Sequence, residues 1–126
     1  MNLIRTQGDI RRFLDQVNSL HDGYLLSAQF DNSGISRGNG LTFDPSKTVL
    51  RLRYLVTSIC DAVVEIEFEG VREWQIREAL WNEILDSAVS ILDDGFVVWT
   101  DDESTDPKIR SGCSYVIART MKWKIL

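Results

Sequence analysis

The sequence predicts a mostly β, α+β domain: a curved antiparallel sheet or half-open barrel of six to seven strands, with one N-terminal helix. Apolar residues repeat with helical spacing most clearly near the N-terminus, and they alternate with polar residues over much of the remaining chain. Turn residues separate the alternating segments. With 126 residues, the chain has the length of a single domain, residues 1–126, that can bury a substantial core.

The N-terminal segment has the pattern of an amphipathic helix. Thr6 followed by Asp9 resembles a capping box, in which side chains satisfy the free backbone N–H groups of a helix start. Four apolar residues then fall on one helical face: Ile10, Phe13, Leu14 and Val17. We predict a helix over Gln7–Ser19 that ends before His21-Asp22-Gly23.

Period-two alternation begins after Gly23 and predicts a first strand over Tyr24–Asp31. The following segment, Asn32–Lys47, has three glycines within seven residues and contains Asp44-Pro45. This composition is typical of a loop or of the ragged end of a hairpin.

The next two strands, 49–57 and 62–69, have polar faces of opposite charge. Arginines alternate with apolar residues on the first strand, and glutamates do so on the second. If the strands form a hairpin, one register gives three pairs: Arg53 with Glu65, Leu52 with Ile66, and Arg51 with Glu67. A slip by one residue would turn every apolar side chain into water, so this register is well specified.

The segment after Gly70 is more ambiguous. Alternation around Trp74 and Ile76 predicts a strand that turns back at Gly70-Val71-Arg72. Residues 78–92 fit either a helix or a short helical turn near Ala79–Glu83 followed by a hairpin. We favour the hairpin, with strands Ser87–Leu92 and Phe96–Thr100, because Asp93-Asp94-Gly95 is a strong turn signal.

The C-terminal part predicts a polar loop over Thr100–Gly112 and a last strand over about Ser114–Ile125. Four of its residues are expected on one face: Tyr115, Ile117, Met121 and Trp123. Three of the four tryptophans, Trp74, Trp99 and Trp123, fall on predicted strands, and we expect them in the core. The fourth, Trp81, would be a good anchor for a partner if it is exposed.

Composition limits the function classes. The net charge of −5 disfavours nucleic acid, which needs a basic patch, and favours basic partners. The sequence has no apolar run of the roughly 20 residues that span a bilayer and no signal peptide, so we expect a cytoplasmic protein without membrane contact. Cys60 and Cys113 have no metal or disulfide spacing, and we expect buried or half-buried thiols.

Acidic residues supply the main binding candidates. Asp93 and Asp94 form one cluster, and a second cluster follows the predicted strand: Asp101, Asp102, Glu103 and Asp106. The second cluster has no basic residue within it and lacks the spacing of a calcium loop. It is typical of a solvated loop, of a contact surface for a basic protein, or of a site for a hard cation, and we select the contact surface as the functional hypothesis.

The sequence predicts no catalytic residues, no metal site and no cofactor. His21 is the only histidine. Adjacent residues of an extended chain point to opposite faces, so His21 and Asp22 are badly placed to share a proton. We interpret Asp22-Gly23 as the turn between the helix and the first strand.

Arg119 is the candidate for ligand binding, because we expect it to point inward among apolar neighbours, where it needs a carboxylate or an anionic ligand.

Three short segments resemble a known group: Leu20-His21-Asp22-Gly23, Ile66–Val71 and Phe96–Trp99. Together they are similar to small bacterial proteins that include the immunity protein 50 group of polymorphic toxin systems. The resemblance covers most of the chain from residue 20 onward. It implies a cytoplasmic, non-catalytic protein that binds and blocks a toxin domain, and it transfers no contact residue.

Two functions therefore remain open from the sequence. The first is a non-enzymatic interaction domain of immunity type that neutralises a basic toxin. The second is a small-molecule-binding or enzymatic domain with a cleft in the curved sheet around Arg119. A homo-oligomer also stays open, because sheet edges pair readily.

Overall fold

A computed structural model of the protein describes residues 1–32, 35–36, 38, 40–42, 44–59, 61–77, 83–84, 86–102 and 113–126. Its helix and strands are, in chain order, β1 (Asn2–Leu3), α1 (Gln7–Gln16), β2 (Gly23–Asp31), β3 (Ile35–Ser36), β4 (Leu41–Thr42), β5 (Val49–Val56), β6 (Ala62–Gln75), β7 (Glu83–Ile84), β8 (Ala88–Ile91), β9 (Val97–Thr100) and β10 (Tyr115–Ile125). Within these residues, no helix is both long enough and apolar enough to cross a membrane.

The strands form one open, antiparallel sheet. Seven of them run in the order β7-β2-β5-β6-β10-β9-β8, and β1 pairs with β10 beside β9. The small β3–β4 pair lies off this sheet, in the segment predicted as a loop or ragged hairpin. The predicted fold class, a mostly β domain with one N-terminal helix, is confirmed.

The two ends of the sheet approach each other. β7 and β8 are its terminal strands, yet only residues 85–87 separate them in the chain. Four extended residue steps span at most about 14 Å, so the sheet must curve strongly to bring these strands together at one end. This curvature places residues from both ends of the sheet at a common edge.

The predicted pairing of the charged strands is confirmed. In the structure Arg53 faces Glu65 and Arg51 faces Glu67 across β5 and β6. Lys122 and Lys124 of β10 add a third row on the other side of the glutamates, with Lys122 Nζ 3.0 Å from Glu69 Oε1. The result is a charge ladder across three strands: Arg51, Arg53, Glu65, Glu67, Glu69, Lys122 and Lys124.

The prediction that the chain turns back at Gly70 is wrong. β6 continues from Ala62 to Gln75, and the strand bends instead of reversing. Gly70 has φ +65°, a left-handed conformation that glycine adopts without strain. The pairing with β10 also shifts its register between Ile117 and Ala118, and such irregularities bend a strand while preserving most of its pairing.

Because of the same bend, the prediction that Tyr115, Ile117, Met121 and Trp123 share one face of β10 is wrong. Met121 and Trp123 belong to the main core, whereas Tyr115 and Ile117 belong to a second apolar cluster with Val98. The prediction assumed uninterrupted alternation, and the change of register near Gly70 breaks it. The sheet is therefore apolar on both faces near β9 and β10.

Helix α1 covers the main core. Its capping box, Thr6 with Asp9, is formed as predicted, while the helix ends at Gln16 and not at Ser19. Asn18 and Ser19 have φ values of 50° and 53°, which a right-handed helix does not accept. The buried face of α1 and of the turn that follows it consists of Ile10, Phe13, Val17 and Leu20.

Two of the tryptophan predictions are confirmed and one is wrong. Trp99 and Trp123 are buried, and the Trp123 ring meets Phe13 at a centroid distance of 5.4 Å. Trp74 is exposed over 38% of its surface and packs against Phe30, which is similarly exposed. Trp81 lies outside the described residues.

Other predictions have mixed outcomes. The hairpin around Asp93-Asp94-Gly95 is present as β8 and β9, with Gly95 at φ +87°. The predicted helical turn lies outside the described residues, except for Glu83, which begins β7. Cys113 is a free, buried thiol as expected, and Cys60 is outside the described residues.

Candidate functional site

The predicted partner-binding acids begin where β9 ends. The backbone N–H of Asp101 donates to the carbonyl oxygen of Ser114 at 3.1 Å, and the N–H of Ser114 donates to Asp101 Oδ1 at 2.9 Å. Asp101 thus connects the chain before the predicted loop to the chain after it. Glu103 and Asp106, the other two acids of the prediction, lie outside the described residues.

Asp101 is half-buried, and its carboxylate accepts the hydrogen bond from the Ser114 N–H. Burial raises its pKa, the Ser114 hydrogen bonds work against that rise, and the neighbouring charge of Asp102 adds to it. Burial also raises the pKa of the core residue Tyr54, and the charge of Asp101 contributes to that increase. We therefore assign Asp101 a positioning role and look to its neighbours for the accessible charge.

Asp102 lies beside an acid that the sequence does not single out. It forms an isolated parallel bridge with Asp86, and bridged backbones lie about 5 Å apart. Asp86 comes from the short connection between β7 and β8, which the curvature of the sheet brings to the end of β9. No local sequence pattern marks Asp86, because its neighbour in space is 16 residues away along the chain.

His21 stands between two of the acids. Its Nδ1 lies 3.5 Å from Asp86 Oδ1, and its Nε2 lies 3.6 Å from Asp22 Oδ2. These distances suit an ion pair when the imidazole is protonated, and they exceed those of good hydrogen bonds. We call Asp22, Asp86, Asp101, Asp102 and His21 the acidic edge. Even a protonated His21 offsets only one of its four carboxylates.

The expectation that His21 and Asp22 point apart is wrong. It applies to an extended chain, whereas Asp22 has φ 57°. This left-handed conformation folds the aspartate carboxylate back towards the imidazole. The pair is therefore part of one surface, although its distances do not indicate proton sharing.

The acidic edge is built on a strained turn. Asn18, Ser19 and Leu20 have φ values of 50°, 53° and 54°, and Asp22 follows with 57°. A left-handed conformation costs roughly 1–2 kcal/mol for each residue other than glycine. Such strain persists only where surrounding contacts impose it, and it is concentrated at functional sites.

Contacts from other segments hold this turn in place. The Ser87 N–H donates to the Ser19 carbonyl oxygen at 2.7 Å, and the Asp22 N–H donates to the Ile84 carbonyl oxygen at 2.9 Å. The fully buried side chain of Leu20 fixes the turn to the core. The chain between β7 and β8 therefore holds both Asp22 and Asp86 in position.

The turn gives a stability prediction. We expect Ser19→Gly to raise the free energy of unfolding by about 1 kcal/mol, because glycine adopts a left-handed conformation without the cost that serine pays. Chemical denaturation followed by tryptophan fluorescence measures the change. Ser27→Gly, on the exposed part of β2, is the matched control and should lower stability, since glycine weakens a strand. Destabilisation by both substitutions would contradict the strain at Ser19.

The arrangement can attract a basic surface electrostatically. Among the residues that the structure describes, no three His, Cys, Asp or Glu side chains are placed to hold a metal ion. The acids instead form a row of negative charge, which attracts a basic surface and speeds its association.

Arg119, the predicted ligand-binding residue, lies elsewhere. It is in the middle of β10, near the turn of the β8–β9 hairpin, whereas the acidic edge lies at the open end of that hairpin. Arg119 is exposed and does not point into the core as expected. Its side chain crosses Gly70, so that a Cβ at Gly70 would lie about 3 Å from it.

Comparisons with protein-family models, curated proteins and solved structures found no match to this chain.

Proposed function

We propose that this protein is a non-enzymatic interaction domain that binds a basic protein through the acidic edge. The observation that carries the proposal is the convergence of Asp22, Asp86 and Asp102 from three separate segments. The side chains of Asp22 and Asp86 are 43% and 35% exposed, so their charge is accessible to a partner. Asp101 positions this surface.

The strained turn supports the same proposal. Four left-handed residues cost stability, and the surrounding contacts hold them in place. One effect of this conformation is to place the Asp22 carboxylate beside His21 and Asp86. The net charge of −5 adds a long-range attraction for basic partners.

The finer proposal is that the partner is a basic toxin, which this protein neutralises as an immunity protein in the bacterial cytoplasm. The short segments that resemble immunity proteins support it, and one of them, Leu20–Gly23, contributes His21 and Asp22 to the acidic edge. A domain that blocks a toxin needs a complementary surface and no reaction centre of its own.

A charge reversal tests the site. We expect the triple variant Asp22→Lys, Asp86→Lys and Asp102→Lys to bind about tenfold less partner than the wild type, or less still. The new lysines would face the basic partner, and like charges that face each other cost several kcal/mol. The measurement is capture from a lysate of the native cells on immobilised protein, followed by mass spectrometry. The wild type should retain a basic protein at low salt and release it at high salt.

The matched control reverses three exposed acids away from the acidic edge: Asp15, Asp31 and Asp93. Both triple variants change the net charge equally, so only the position of the charges differs. Equal loss in the two variants would show a general charge effect and contradict the assigned site. Retention of the partner at the wild-type level by the variant of Asp22, Asp86 and Asp102 would also contradict the assigned site.

A second candidate function is small-molecule binding around Arg119. The observation that favours it is a cleft beside this residue, lined also by Arg5 and Thr120.

A further inference from the structure

Two strands share one side of β10 and leave a gap between them. β9 pairs with Tyr115–Ala118, and β1 pairs with Lys122 and Trp123. A cleft of about 260 Å³ opens at this gap. β1 and the two residues after it line the cleft on one side with Leu3, Ile4 and Arg5. Arg119 and Thr120 line it from β10, and Ile91, Gly95 and Val97 line it from the β8–β9 hairpin.

Arg119 brings a positive charge to this cleft. Within the described part of the chain, its guanidinium forms no ion pair of 4.0 Å or less. The stem of the side chain lies over Gly70, and Cζ is 5.9 Å from the centre of the Phe96 ring. The head group is therefore oriented by its packing while its hydrogen-bond donors remain available.

Two carboxylates near Arg119, Asp94 and Asp44, have other partners. Asp94 accepts a hydrogen bond from Arg72 at 3.1 Å. The pKa of Asp44 is lowered chiefly by hydrogen bonding from Ser46, and the charge of Arg119 makes only a small contribution. Neither acid comes within ion-pair distance of Arg119, so an incoming anion can bind there.

A second cation at the cleft favours an anion. Arg5 also lines the cleft, and its charge increases the local positive potential on an otherwise acidic protein.

The remaining walls of the cleft are apolar. Ile4 and Val97 are almost fully buried, and Leu3 and Ile91 are partly buried. An apolar ligand body would gain by covering the exposed parts of Leu3 and Ile91. A bare inorganic anion would gain nothing from them.

We propose that this cleft binds a small carboxylate with an apolar body. Its carboxylate accepts hydrogen bonds from the Arg119 guanidinium, and its apolar body lies along Leu3 and Ile91. The proposal is independent of the acidic edge and gives the second candidate function its ligand class.

Calorimetric titration with hexanoate at low ionic strength tests the proposal. We expect saturable binding by the wild type, weakened roughly tenfold to a hundredfold by Arg119→Gln, because a hydrogen bond to a charged group is lost. Arg12→Gln, on the exposed side of α1, is the control and should leave binding unchanged.

Matched probes separate charge from apolar contact. Hexanol has the apolar chain without the charge, and inorganic phosphate has charge without the chain, so both should bind more weakly than hexanoate. Phosphate binding as tight as hexanoate binding would overturn the assigned ligand class. Equal hexanoate affinity of the wild type and Arg119→Gln would overturn the site.

A measurement on the wild type keeps the test independent of folding defects in the variants. Nuclear magnetic resonance should show that hexanoate shifts the backbone amide signals of Gly95 and Thr120 and leaves those of Asp22 and Asp86 unchanged. Shifts confined to residues outside the cleft would contradict the proposal. Because hexanoate is no partner of the acidic edge, a negative result leaves the interaction proposal standing.

Discussion

Phe13→Ala should lower the free energy of unfolding by about 3–5 kcal/mol, the usual cost of removing a large buried aromatic side chain. Phe13 is fully buried, and its ring packs edge-on against Trp123 of β10. It is the largest of the side chains by which α1 and the turn after it contact the main core. The substitution would leave a cavity between helix and sheet and would remove a large part of the total stability of an ordinary domain.

Urea denaturation followed by circular dichroism measures this loss. Gln16→Ala, an exposed position on the same helix, is the control and should change stability by no more than about 0.5 kcal/mol. If Phe13→Ala cost less than about 1 kcal/mol, the helix would not pack on the sheet as described.

Glu65→Gln should lower stability by about 1–3 kcal/mol, because Glu65 holds the centre of the charge ladder. Its carboxylate lies 2.9 Å from Arg53 Nη2 and 3.5 Å from Lys124 Nζ. The residue is only 4% exposed, since the stems of the surrounding cations cover it. These cations are partly exposed and regain water in the variant, which keeps the loss below that of a fully buried pair.

The ladder also makes stability depend on pH. Burial works to raise the pKa of Glu65, but the hydrogen bond from Arg53 and the charges of Lys124 and Arg53 outweigh it and lower the pKa. A lowered pKa in the folded state means that the stabilisation is complete above the ordinary value of 4.5. It is then lost as the pH falls through the folded-state pKa.

Denaturation at pH 7 and at acidic pH tests the sign of this effect. The difference in stability between wild type and Glu65→Gln should be largest at pH 7 and should shrink in acid. Glu67→Gln is the matched control and should cost less, since among the described residues the Glu67 carboxylate pairs only with Arg51, at 3.3 Å, and its side chain is 18% exposed. A difference that grows in acid would contradict the assigned role of Glu65.

Local rules predict much of the fold. The pairing of Arg53 with Glu65 follows from alternation and charge, the capping box of α1 follows from Thr6 and Asp9, and the hairpin follows from Asp94-Gly95. Each depends on residues that are close in sequence or on a pattern that a slip of one residue would destroy. Such features are readable without knowledge of the remaining chain.

The errors come from features that depend on long-range geometry. Gly70 marks a bend and not a turn because β10 pairs along both sides of it. Trp74 is exposed because β2 and β6 present their aromatic residues beside each other where the sheet is uncovered. No local pattern distinguishes these outcomes from the predicted ones.

The candidate site was predicted only in part. The sequence singles out Asp101 and Asp102 for their lack of basic neighbours, but the two differ in their contacts, since Asp101 is hydrogen-bonded to Ser114 and Asp102 lies beside Asp86. The contributions of Asp22 and Asp86 depend on the left-handed turn and on the curvature of the sheet. The proposed carboxylate cleft likewise needs the gap between β1 and β9, which the sequence does not reveal.

The most direct test of the interaction proposal is a hydrogen-exchange footprint of the captured partner on the wild-type protein, read by mass spectrometry. Our account predicts slower exchange at residues 19–23, 84–88 and 100–102 in the complex, with little change on the charge ladder or around Arg119. Protection confined to the charge ladder, to the Phe30–Trp74 pair or to the cleft, with the acidic edge unchanged, would contradict it.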